Sequence, residues 1–494
     1  MNITSRLIII LMSVLGIAAC TNEESFTVSS GACLEFSTDT VSFDTIFTSI
    51  GSSTQRMKVY NRNSKGIRIS SAYLASGGTS GFRVNIDGQS GTTFSDVEIY
   101  NKDSIYVFVE VTVDPHDSDS PVLVEDSLIF NLESGVRQSV KLMAYGRDAI
   151  IMRGEHISSD TEFTKTRPYL IYDSLVVDSG AVLKLQPGSE LYFHSEAKLI
   201  VFGELHSEGT LEEEVVMRGD RTDNILDGLP YDRLDAQWGG VVVKDGARCV
   251  LNHTDIHGGR FGISCTSTKP ETQSIEIENS VIHNVAGDAL YLENCSARVY
   301  NSQISNSKGY CVNIVGGNSD FVHCTIVQFY PWSGGYGNAL LFTNVLGEET
   351  CPLQNASFTN CVITGGAKDE VFGERSDDET VPFVYKFDHC FLNTVYDEED
   401  PDENMIDCVF ENEENDCFRQ SNFRKLDTDN YLYDFRLDSA SLARGMADPA
   451  VSAEYPLDRY GVSRVGNGVK PDAGCYQYVE RQKRNNNRFC LTFF

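Results

Sequence analysis

From residue 251 onward, apolar and polar positions recur as a six-residue phrase. It reads Leu251-Asn252-His253-Thr254-Asp255-Ile256 and returns as Ile277-Glu278-Asn279-Ser280-Val281-Ile282 and Val299-Tyr300-Asn301-Ser302-Gln303-Ile304. Later copies begin at Phe321, Phe358 and Phe387, and a degraded one at Met405. The third residue is Asn, His or Asp, the fourth is small, and the sixth is apolar. The third positions, 253, 279, 301, 323, 360, 389 and 407, lie 26, 22, 22, 37, 29 and 18 residues apart. A single packed core imposes no such period, whereas stacked coils do. The spacing suits a parallel β-helix with three short strands per coil, and the longer gaps imply loops inserted into individual coils. Positions one, four and six are expected to face inward. The Asn/His column is expected to be a polar ladder at a bend, bridging coils about 4.8 Å apart. A second strand per coil follows in the same phase, at Ala289-Leu290-Tyr291-Leu292, Cys311-Val312-Asn313-Ile314 and Ala339-Leu340-Leu341-Phe342.

Other patterns precede the phrase. Residues 33–149 carry β-rich stretches at 57–60, 67–74, 82–86, 105–113, 128–132 and 140–145. Turn signals such as Gly77-Gly78, Asp87-Gly88 and Ser134-Gly135 separate them. This predicts a β-sandwich. Lys58-Val59-Tyr60-Asn61 and the closing Ala144-Tyr145-Gly146 resemble immunoglobulin-like modules of the Hydin-associated type, which implies a spacer or binding unit. A solenoid is predicted over 165–425. Its opening, 179–193 and 197–205, carries Pro187-Gly188 and Gly203 as tight bends. It resembles the first coils of bacterial right-handed β-helix proteins. Residues 220–236 read as an inserted polar loop, and Trp238-Gly239-Gly240-Val241 restarts the coils. Over 426–480, Asp458-Arg459-Tyr460-Gly461, Arg464 and Pro471-Asp472-Ala473-Gly474-Cys475-Tyr476 are similar to the closing segment of polysaccharide-lyase-like β-helix proteins. The usual ending there is Asp-Ile-Gly-Ala-Tyr-Glu, from which Ala473, Cys475 and Gln477 depart. The segment is expected to cap the open end of the solenoid. Residues 481–494 form a basic, then apolar, tail.

The chain has 494 residues, 41% of them apolar, and a formal charge of −31. That charge excludes phosphate-rich partners such as nucleic acid and keeps copies apart. Arg6 precedes a mostly apolar run at 7–19, too short to span a bilayer and of signal-peptide length. Leu15-Gly16-Ile17-Ala18-Ala19-Cys20 resembles the bacterial lipobox. The resemblance implies a signal peptide at 1–19, lipidation of Cys20 and a tether at 20–32. Thr21-Asn22-Glu23-Glu24-Ser25 resembles the export signal of Bacteroidota surface lipoproteins. Together these imply a lipid anchor in the bacterial outer membrane, on the cell surface or on the periplasmic face.

No metal site or cofactor is expected from the 14 Cys, which form no CxxC pair or zinc-finger spacing. Cys324, Cys361, Cys390 and Cys408 continue the small fourth position of Thr254, Ser280 and Ser302, so Cys is read there as a small buried residue. Calcium is the one cation considered, at the acidic runs 397–403 and 411–416. The regular coils show no column of stacked carboxylates for glycoside cleavage. Catalysis is therefore left with Asp255, His257 and His283, on adjacent coils near Arg260, as a general base or metal site. The ligand-binding candidate is the loop Phe329-Tyr330-Pro331-Trp332-Ser333-Gly334-Gly335-Tyr336. Its Tyr330, Trp332 and Tyr336 suit stacking on sugar rings. The expected function is a lipoprotein that binds or presents a glycan or another extracellular ligand. A polysaccharide lyase or glycoside hydrolase, and a structural spacer or adhesin, are the other classes.

Overall fold

The computed structural model describes residues 25–226, 228–397, 399–411, 422–466 and 468–480. The signal peptide, Cys20, the tail and most of the 411–416 acidic run lie outside them. The chain divides into two compact units, 1–148 and 149–494.

The first unit is a sandwich of two five-stranded sheets. Alternation supplies its core: Ser104–Val111 buries Ile105, Val107, Val109 and Val111. These side chains join Leu128, Phe130, Val140 and Leu142 of the other sheet in one cluster. Asn61 is fully buried, and its amide donates to the Lys65, Ile99 and Tyr100 carbonyls.

The second unit is a right-handed parallel β-helix. One coil runs Gln273–Glu278, Val281–Val285 and Leu290–Glu293. The next runs Ser296–Tyr300, Gln303–Ser307 and Val312–Val315. Each strand pairs in parallel with its counterpart one coil on. Positions one, four and six of the phrase are buried from the first copy through the sixth, as the sequence predicts.

Position three sets the geometry. His253, Asn279, Asn301, His323, Asn360, His389 and Asp407 all have φ between 42° and 56°. Short polar side chains tolerate that left-handed turn best after Gly. The turn redirects the chain from one face of the solenoid to the next. Each bend N–H still finds a carbonyl on the following coil, as from Asn279 to Tyr300 and from Asn301 to Val322. The next N–H, at position four, finds a side chain instead. Thr254 N–H donates to Ser280 Oγ (3.0 Å) and Ser280 N–H to Ser302 Oγ (3.1 Å). Cys324 N–H meets Cys361 Sγ at 3.5 Å, and Cys361 N–H meets Cys390 Sγ at 3.4 Å. Position four therefore needs an acceptor as well as small size.

Three expectations change. The solenoid begins at Ile150–Ile157, which pairs in parallel with Tyr169–Val177, well before 165. That strand exposes most of its side chains, so it carries no inward apolar column to read. The C-terminal segment begins before 426, since Phe423–Asp427 pairs with Leu432–Leu437. It also lies along the flank of the coils. Val327, Val362 and Phe391 point outward from the coils and pack with Phe435, Leu437, Ala473 and Cys475. An apolar flank needs cover as much as an open end does. The segment is better described as a strap. Its polar residues hold its own turns: Asp458 accepts from the Tyr460, Val462 and Gln477 N–H groups, and Asp472 from those of Gly445 and Tyr478. Arg464, 1% exposed, donates to the Tyr455, Leu457 and Gly474 carbonyls.

A stack that needs acceptors at position four makes a graded prediction. Cys361→Ser is expected to cost less than Cys361→Ala, which strands the Cys324 N–H at about 1–3 kcal/mol. Cys361→Asp, which forces a carboxyl into the dry stack, is expected to cost more than either. Urea unfolding midpoints check the order, and equal midpoints for Ser and Ala would show that the slot selects for size alone.

Candidate functional site

Two constellations stand out on the solenoid, and the inserted loops and the strap build both.

The first lies on the face that carries Thr254–His257 and Val281–Val285. In-register pairing sets Asp255 opposite Val281 and His257 opposite His283. Alternation puts Asp255 and His257 on one side of their strand. The two imidazoles stack at 4.9 Å. His257 Nδ1 donates to Asp255 Oδ1 at 2.8 Å, and His283 Nε2 lies 3.3 Å from the same oxygen. The 220–236 insertion folds over this patch as a short antiparallel pair, Asn224–Leu226 with Leu229–Pro230, followed by the 3-10 turn Tyr231–Arg233. Asn284 and Gln237 hold that turn by its Arg233 and Leu234 carbonyls. It delivers Asp232, which accepts from His257 Nε2 at 2.8 Å and pairs with Arg218. Trp238, fully buried against Phe193, donates its Nε1–H to the His257 carbonyl at 2.8 Å.

His257 is thus 5% exposed and lies between two carboxylates. Burial disfavours its charge, but Asp255 and Asp232 outweigh burial and push the imidazole up to about 9. Burial also opposes ionisation of Asp232, yet the His257 and Arg218 charges bring it to about 2. Asp255 is held well below the usual carboxylate range, since His257 and His283 overcome its burial. A general base must accept a proton at working pH, and a charged His257 does not. The structure brings Asp255, His257 and His283 together as expected. Asp232 was missed, because a residue on an inserted turn has no phase in the repeat. Arg260, expected nearby, pairs instead with Glu196.

The second constellation follows the Asn/His ladder. At 323 and 360 the strap helix Pro449–Glu454 sits on the ladder. His323 Nε2 meets Ser452 Oγ at 3.0 Å, and Asn360 Oδ1 accepts from the Asp448 N–H at 2.7 Å. Asn360 Nδ2 also donates to His323 at 3.1 Å, one true bridge between coils. Of the other ladder residues, Asn301 Nδ2 donates to the Leu457 carbonyl of the strap (2.9 Å), Asn279 Nδ2 reaches Asn252 Oδ1 on the preceding coil (3.2 Å), and His389 Nδ1 meets Asp388 (2.7 Å). Beside 253, 279 and 301 the ladder and the strap enclose a groove of about 590 Å³. Its floor holds His253, Asn279 and Asn301. Its walls include Tyr300 and Arg298 on the coils and Tyr455 and Pro456 on the strap. The Tyr300 and Tyr455 rings are tilted, 5.3 Å apart. Asn301 Oδ1 and His253 Nδ1 are buried without a hydrogen-bond partner. Burial and the nearby Arg459 lower the His253 pKa, which favours the neutral ring.

The 329–336 loop is folded down. Tyr330 is 5% exposed with its hydroxyl on Asp235, so it has no face to offer a sugar. Trp332 stacks on Tyr431 at 3.8 Å, Tyr336 meets Tyr330 edge-on, and Phe329 packs on Phe435. Composition marked this loop as aromatic and Gly-rich. It could not show that 423–435 supplies partners for its rings.

The fold and these two clusters define a right-handed parallel β-helix protein with a strap-walled lateral groove. A family model described as "Right handed beta helix region" matches residues 158–328. Among solved structures, the chain is similar to the ASH / PapD-like domain of human CEP192 (PapD-like domain 7). Identity there is 10%, with 26% of this chain and 94% of that one covered and a TM-score of 0.17. It is also similar to a family 123 glycoside hydrolase from Clostridium perfringens, at 7% identity and a TM-score of 0.17, with 23% of this chain covered. The match spans only 25% of that hydrolase. At these scores neither likeness bears on function. No curated protein matches the chain.

Because Trp332 is stacked and half-buried, Trp332→Ala is expected to lower stability by about 2 kcal/mol. A thermal melt of the variant checks this. An unchanged melt would return the ring to the list of free surfaces.

Proposed function

We propose that the protein is a lipid-anchored lipoprotein of the bacterial outer membrane that binds an extracellular glycan in the groove between the 253–301 ladder and the strap. A β-helix of this kind is compatible with proteins that act on or bind polysaccharide. The groove is the observation that carries the reading. Its volume of about 590 Å³ lies in the range of small-ligand sites, roughly 300–1,000 Å³. The exposed Arg298 guanidinium and the half-buried Asn279 amide line it and can donate to a polar ligand. Tyrosine faces beside them suit the apolar C–H faces of a sugar, whose hydroxyls both donate and accept.

Binding is favoured over cleavage because hydrolysis needs two available carboxyls about 5–10 Å apart. Of the three carboxyls that line this groove, Glu278 accepts from the Tyr300 hydroxyl at 3.0 Å and Asp458 holds three backbone N–H groups, which leaves Glu454 where a pair is needed. The anchor reading is supported by the lipobox-like sequence ending at Cys20, and the surface location by Thr21-Asn22-Glu23-Glu24-Ser25.

Two experiments test the reading. On a glycan array followed by titration, the full-length protein in detergent is expected to select a glycan. Tyr455→Ala is expected to weaken that binding at least tenfold, about 1.4 kcal/mol. No selection by the wild type, or an unaffected Tyr455→Ala, would overturn the groove. Cys20→Ser is expected to move the protein from the membrane to the soluble fraction, and continued membrane retention would overturn the anchor.

A further inference from the structure

Asp255, His257 and His283 each offer one ligand atom, and the three atoms lie within 4.8 Å of one another. We propose that this triad binds a divalent transition-metal ion of the zinc class. His257 Nδ1, His283 Nε2 and an Asp255 carboxylate oxygen are the ligands, and Asp232 is the positioning residue for His257. The sequence alone leaves this triad as either a general base or a metal site, and the fold adds Asp232 from the insertion.

Three observations carry the proposal. The donors are two imidazoles and one carboxylate, a set that suits zinc and its neighbours better than the hard, all-oxygen preference of calcium or magnesium. The spacing fits: the Asp255 oxygen is 2.8 Å from one ring nitrogen and 3.3 Å from the other. Donors that each sit about 2.0–2.2 Å from a shared ion come to lie near 3 Å apart. Beyond the ligands, His257 presents its far nitrogen to a carboxylate, as metal-bound histidines do, and that carboxylate is itself paired with Arg218.

The scaffold holds this arrangement without an induced fit. Backbone register sets His257 against His283, the Trp238 indole ties down the His257 carbonyl, and Asn284 and Gln237 fix the turn that carries Asp232. The His283 and Asp255 side chains are 25% and 26% exposed, so an ion has a way in and water can complete its coordination. None of the three ligands lines the groove, so the metal site stands or falls separately from glycan binding.

The test uses purified full-length protein, stripped with chelator and titrated with Zn²⁺ by calorimetry and with Co²⁺ by visible absorption. One ion per chain is expected, with a cobalt spectrum of nitrogen and oxygen ligands. His283→Ala is expected to lose that ion. Asp232→Asn is expected to keep the stoichiometry, weaken affinity about 10–100-fold and shift the cobalt bands. Circular dichroism confirms folding, and His283→Gln replaces His283→Ala if the alanine variant does not fold. The proposal is overturned if the wild type binds no zinc or if the His283 variants bind as tightly as the wild type. A sulfur-to-cobalt charge-transfer band, which would place the ion on a thiol such as the exposed Cys33, also overturns it.

Discussion

From residue 253 onward the solenoid depends on one backbone constraint, a left-handed residue at the same corner of each coil. Stacked coils require that corner to turn the same way each time, or the strands on either side lose register. The turn leaves the next N–H facing a side chain, and the chain supplies Ser, Thr or Cys to receive it. Corner and acceptor together account for the third and fourth letters of the repeated phrase. The apolar first and sixth letters then fill the interior between the faces.

What the molecule displays outside follows from the same repetition. A regular stack yields identical, featureless faces. Individuality comes from departures: the 220–236 insertion that brings Asp232 to two stacked histidines, and the strap that touches some ladder positions and stands away from others. Both candidate sites occur where a non-repeating segment meets a repeating one. The coils supply rigid register, and the added segment supplies the partner that the repeat alone cannot.

The same division explains what could be read from the sequence. Inward columns, the coil length, the bend at position three and the pairing of His257 with His283 all follow from periodicity, and each was legible. Ile150–Ile157 was not, because an end coil exposed to water has no apolar period. The strap's course was not, because its contacts with Asn301, Thr325 and Asn360 are made across 88 or more residues by groups outside the repeat. The partners of Tyr330 and Trp332, Asp235 and Tyr431, were hidden for a related reason. Aromatic composition marks a residue as sticky, and only the fold says whether its partner is a ligand or another part of the chain.

The strap's place after the coils in the sequence has a consequence for biogenesis. The coils can stack as they are synthesised, since each needs only its neighbour. One wall of the groove, residues 454–461, is made only after the coils. Its turns close only when Asp458 and Asp472 meet Gln477 and Tyr478. A chain cut short by a premature stop would therefore have a stacked solenoid and an unformed groove. Occupancy of the groove would mark a chain whose strap has been made and has closed on the coils.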